Sequence, residues 1–253
     1  MAGWMRTSNP TLRSAFNEQG LVIGDRMTVS GTVNKTGILA ICVVATAAWT
    51  WNRFLNAASP EDAMASVLPL VALGALGGFI VAMVTVFKRT WAPVTAPIYA
   101  LLEGLVLGGI SALTELRFPG IPMQAVGLTF GTLVAMLLVY RSGIIRVSDN
   151  FRMGVVAATG GIALFYVATM IMGFFGVRFP SVFGASPLGI GISIFVVIVA
   201  ALNLVLDFDL IENGARAGAP KYMEWYGAFA LMVTLIWLYL EILRLLQKLR
   251  SRN

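Results

Sequence analysis

The chain has no histidine and one cysteine, Cys42, and only 12% of its 253 residues are charged. Each shortage removes a class of chemistry. Without imidazole there is no Ser-His hydrolase, no His-ligated zinc hydrolase, no His-ligated haem and no His-based proton relay. A single thiol can form neither an internal disulfide nor a tetrahedral thiolate metal site. Lysine is scarce as well. Lys35, Lys88, Lys221 and Lys248 all sit at the ends of apolar stretches, so none is expected at mid-membrane to carry a retinal-type Schiff base. The charge content is about half of the roughly 25% usual for a soluble domain.

Apolar surface takes the place of charge. With 58% hydrophobic residues and a mean hydropathy of +0.84, the chain is too apolar to hide its surface from water as one soluble unit. It reads as an all-α integral membrane protein. About 20 apolar residues span a bilayer as helix, and seven such runs are present: about Thr36 to Trp51, Ala65 to Phe87, Pro93 to Thr114, Pro122 to Tyr140, Gly154 to Val177, Pro187 to Leu206 and Trp225 to Leu246. The fold class is therefore a seven-transmembrane helix bundle. Residues 1–34 form a polar N-terminal arm without the apolar core of a signal peptide, and residues 35–253 form one membrane domain with short loops.

Lysine and arginine set the expected orientation. With the N-terminus cytoplasmic, that side collects Arg6, Arg13, Arg26, Lys35, Lys88, Arg89, Arg141, Arg146, Arg152, Arg216 and Lys221, against Arg53, Arg117 and Arg178 in the opposite loops. The tail, with Arg244, Lys248, Arg250 and Arg252, is the exception, because seven spans carry it outside. The net charge of +6 is accounted for by these membrane-flanking residues, so no nucleic-acid partner is expected; the lipid bilayer is. Gly74, Gly77 and Gly78, Gly104, Gly108 and Gly109, and Gly160 and Gly161 put small residues inside three spans. They either let helices approach closely or line a narrow path for a small ion.

Acidic residues inside such spans are the candidate functional groups, because an ionised carboxylate at a helix centre costs about 2.5 to 3.5 kcal/mol on insertion scales. Glu103 lies near the middle of the third span, either as a neutral acid bonded to a neighbouring helix or as part of an ion or proton pathway. Glu241 precedes Arg244 by one turn on the same face, which favours a local pair. Asp207 and Asp209 close the sixth span and are the candidate cation or pH-sensing pair, with calcium the metal that hard oxygens suit. Positions i and i+2 point about 200° apart on a helix, so each needs its own partner. Lys88 and Arg89, at the same expected end of the bundle, are the candidate latch for a carboxylate, one that loosens on protonation. The bland alternative is two solvated helix-end charges.

The stretch ALNLVLDFDLIENG and the run GAFALMVTLIWLYLEILRLL, Gly227 to Leu246, resemble the last two helices of the transmembrane Bax inhibitor motif family, the Bax inhibitor-1 and YccA group. PIYALLEGLVLGGIS, from Pro97 to Ser111, is similar to the family's third helix, and SNPTL with MTVSGTVNKTG to a bacterial branch of it. The resemblance implies a bundle built round a central seventh helix and a pH-sensitive calcium leak. It also implies an aspartate pair on the sixth and seventh helices and a basic latch at the end of the second. Asp207 matches the first aspartate and Lys88 or Arg89 the latch. The second aspartate is replaced by Thr234, which cannot ionise, so Asp209 or Glu103 would have to supply the other acid.

The function expected is a passive, proton-modulated cation leak, with calcium or protons as the moving species and no bound cofactor. The alternative is a non-conducting regulator that binds another membrane protein, such as a membrane-bound protease. No nucleophile and base pair supports an enzyme. The expected form is a monomer, because no coiled coil or soluble interface is visible, in a bacterial inner membrane.

Overall fold

The computed structural model describes residues 26–177 and 180–252. Seven long helices fill it: α1 Val29–Leu55, α2 Pro60–Phe87, α3 Ala92–Arg117, α4 Ile121–Arg141, α5 Asp149–Phe174, α6 Pro187–Arg216 and α7 Met223–Arg252. Each is long and apolar enough to cross a bilayer. A 3₁₀ turn, Arg89–Trp91, links α2 to α3, and a helical turn, Pro180–Phe183, precedes α6. Among the described residues there is no strand, only one isolated antiparallel bridge between Arg26 and Pro220.

The helix starts follow from their caps. The hydroxyls of Thr28, Ser59, Ser148 and Ser186 accept from the amides of Gly31, Asp62, Phe151 and Gly189, which satisfies N–H groups that the helix leaves free. Capped by Thr28, α1 begins at Val29, six residues before Lys35, so the last part of the expected polar arm is folded. Its first 25 residues lie outside those described. Met27 N donates to Ala219 O at 2.7 Å, and this strap ties the entry of α1 to the α6–α7 turn. That turn closes through Gly218, whose φ of 67° suits a residue without Cβ.

At the centre is α7, as the resemblance implied. It packs against α1, α3, α4 and α6, and Leu238 and Leu243 are fully buried beside Leu39 of α1 and Leu204 of α6. Lipid tails are as apolar as leucine, so close packing rather than exclusion of water holds such helices together. Glycine makes it close. A methyl group added at Gly108 would stand 2.8 Å from Ala47 Cα and 2.9 Å from Thr50 Cβ of α1, and one at Gly109 would meet Val67 of α2 at 2.9 Å. Helix α3 is thus wedged between α1 and α2 by its glycines, which is the bundling role. Gly160 and Gly161 of α5 differ, with nothing within 4 Å of where a Cβ would stand. Helix α5 is peripheral and buries few of its residues.

Gly108→Val should therefore destabilise the bundle by about 1 to 3 kcal/mol through overpacking against α1, whereas Gly160→Ala should leave it unchanged. Thermal unfolding in detergent, read beside gel-filtration profiles, tests the contrast.

Candidate functional site

The polar groups of the bundle converge on α7 and on the last turns of α6. Asp207 sits on α6 with its Oδ2 atom buried and without a hydrogen-bond partner. The polar side chain facing it from α7 is Thr234, whose hydroxyl also donates back to the Ala230 carbonyl at 3.3 Å. A buried carboxylate oxygen left without a donor is expensive, and an exception of this kind calls for a functional explanation.

The other expected members of the site are placed elsewhere. Asp209 points away from Asp207, as the helical angle requires, and pairs with Arg152 of α5 at 2.7 Å. The two aspartates therefore do not form a joint calcium site. No cluster of three or more metal-binding side chains exists among the described residues. The latch is not made either. Arg89 lies in the turn between α2 and α3, where its guanidinium stacks over the Tyr226 ring at 5.4 Å, and Lys88 caps the end of α2. Among the described residues neither forms an ion pair with Asp207. Glu103 is half-buried on another seam, between α3 and α2, where its Oε1 lies 2.8 Å from a Cβ built at Gly78. It makes no hydrogen bond to a described residue, so the neutral, cross-helix-bonded acid is not what the structure contains.

Glu241 fits the local pair expected of it. Arg244 Nη1 reaches its two oxygens at 2.9 and 3.1 Å, and Tyr166 of α5 donates to Oε1 at 3.0 Å. The Arg244 guanidinium also lies over the Tyr166 ring, 5.3 Å from its centroid.

Two charged groups escape sequence reasoning altogether. Glu224, in the first turn of α7, is fully buried. Its Oε1 accepts from Thr28 N and Thr28 Oγ1 at 2.8 Å each and from Lys221 Nζ at 2.9 Å, while Oε2 is paired with Lys35. Only Lys221, three residues before it, left a local sign; Thr28 and Lys35 come from the far end of the chain. A side chain at Gly31 would collide with this carboxylate. Lys248, expected as a charge of the tail, is instead 6% exposed. Its ammonium donates to Val182 O at 3.0 Å, Gly189 O at 2.9 Å and Ser193 Oγ at 2.9 Å, three neutral oxygens from the turn before α6 and from α6 itself. No short motif announces a lysine whose partners are mostly carbonyls of another segment.

A bundle of seven apolar helices with α7 at its centre, and with ionisable side chains turned inward onto it, defines a polytopic helical membrane protein that keeps charge inside its bundle. The family model described as Bax inhibitor 1 like matches residues 8–251, and the chain belongs to that family. No curated protein and no solved structure matches it.

Glu224→Gln leaves the ammonium groups of Lys35 and Lys221 without a counter-charge at the junction of α1 and α7. The expected loss is about 2 to 3 kcal/mol, below the full value for a buried pair because Lys221 is 45% exposed. A lower melting temperature in detergent with helix content preserved checks it.

Proposed function

We propose that this member of the family is a passive, proton-modulated cation leak, with calcium the cation, and that Asp207 is the group on which the proton acts. The observation that carries the proposal is the buried, unpartnered Oδ2 of Asp207 beside Thr234. Such an oxygen gains a partner by taking up a proton or by binding a cation, and hard divalent cations prefer anionic oxygen. Proton and calcium then compete for one carboxylate. Because no basic latch engages Asp207, protonation acts on the ligand itself and influx falls with pH. Glu103 and the Asp209–Arg152 pair lie on other seams and have secondary parts. No catalytic role and no resident cofactor enter this proposal. The distribution of lysine and arginine supports a cytoplasmic N-terminus, and we place the protein in a bacterial inner membrane as a monomer.

A second function, a non-conducting regulator docked to another membrane protein, draws support from a different observation. Gly127 and Gly131 of α4 and Gly154, Gly160 and Gly161 of α5 all have open space where a Cβ would stand, the kind of small-residue face on which a partner helix packs.

Proteoliposomes holding a calcium dye separate the two. Wild-type influx should fall several-fold as the pH is lowered from about 8 to about 6, because proton and calcium compete for the same carboxylate oxygen. Asp207→Asn should hold influx low throughout, and Glu103→Gln should change it less. No influx above empty liposomes, from protein shown to be folded and inserted, removes the leak and leaves the docked regulator.

A further inference from the structure

Helices α6 and α7 run antiparallel, and their ionisable groups keep a common register. On α6, Ser193, Ala200 and Asp207 are seven residues apart; on α7, Thr234, Glu241 and Lys248 are seven apart. Asp207 faces Thr234 and Ser193 bonds Lys248, so both ends of the two rows are matched and fully buried Ala200 falls level with Glu241. A seven-residue step returns to nearly the same helix face about 10 Å further along. One seam therefore carries Asp207 near one end, Glu241 near the middle and Lys248 near the other end.

Lys248 closes the row in an unusual way. All three N–H bonds of its ammonium go to neutral oxygens, the donor set with which proteins strip and hold dehydrated cations. The carboxylate one rung away, Glu241, is already occupied by Arg244 in two-oxygen contact. The end of the seam thus holds two cationic side chains and one anionic one, and the net positive charge repels a metal ion.

We propose that the oxygens of Val182, Gly189 and Ser193 form a cation site on the α6–α7 seam, and that Lys248 fills it as a tethered ammonium locking the ion path at the end opposite Asp207. This rests on the leak proposed above. The lock explains how a path with an acid at one end passes cations only slowly: the last station is held by a tethered ammonium that an entering ion must displace.

The test is ion influx into proteoliposomes by wild type, Lys248→Met, Lys248→Arg and Ser193→Ala. Lys248→Met, similar in length but neutral, should leak several-fold faster than wild type. Lys248→Arg, which keeps the charge, should leak less than Lys248→Met. The increase should be larger for calcium than for potassium, because a fixed positive charge repels a divalent ion more strongly; a side chain that merely pins the helices would change both alike. If Lys248→Met fails to insert, Ser193→Ala removes one oxygen with little loss of volume and must raise calcium influx by itself. Wild-type leak with no rise in either variant, or equal rises for calcium and potassium, overturns the lock and leaves the leak standing. No influx from wild type or any variant overturns both.

Discussion

Lipid offers no hydrogen bonds, so every polar group these helices carry into the bilayer must find its partner inside the protein. Most of the structure can be followed from that constraint. Threonine hydroxyls of α1, Thr32, Thr36, Thr46 and Thr50, all donate back to the carbonyl one turn earlier, and Thr114 and Thr129 do the same in α3 and α4. Ser111 meets Tyr239 at 2.6 Å and Gln247 donates to Thr114 at 2.7 Å, joining α3 to α7. Glu224, Glu241 and Lys248 have their charges answered by several contacts each. Against that background the orphaned oxygen of Asp207 stands out as the fully buried side-chain oxygen left without a hydrogen bond among the described residues.

The same constraint explains why α7 is central. A helix bearing Glu224, Glu241, Arg244 and Lys248 cannot face hydrocarbon, so it must be surrounded by the helices that supply its partners. Lys35 and Thr28 come from α1, Ser111 and Thr114 from α3, Tyr166 from α5, and Ser193 from α6. Helix α2 carries charge only near its ends and gives its middle to large apolar residues such as Leu76, Phe79 and Ile80 facing outward. Centrality and periphery thus follow the distribution of charge along each helix.

What could be read from the amino-acid order was whatever depends on neighbours within a turn or on bulk composition. Seven spans follow from long apolar runs, and the Glu241–Arg244 pair from a spacing of three. The bundling glycines of α2 and α3 were legible as small residues, but Gly160 and Gly161 share that signature and pack against nothing, because a glycine announces that another helix can come close and not that it does. The Lys88 or Arg89 latch came from the resemblance; the 3₁₀ turn at Arg89–Trp91 directs Arg89 to Tyr226 instead. Glu224 and Lys248 were hidden for a common reason. Their partners lie 189 and 196 residues away for Glu224 and 55, 59 and 66 away for Lys248, and backbone carbonyls carry no residue signature.

The basic tail also changes meaning once Lys248 is placed. Counted as a loop charge, it opposed the orientation set by the other loops; buried against α6, it is not a loop charge at all, and the distribution rule applies to residues that face the membrane surface. Arg244 is likewise drawn inward, to Glu241 and Tyr166. Only Arg250 and Arg252 remain as exposed charges of the final turn, where the C-terminal end of the α7 dipole favours cations independently of any sidedness. The conflict between seven spans and a basic tail therefore weakens for a structural reason: half of the tail's charge serves the inside of the bundle rather than its surface.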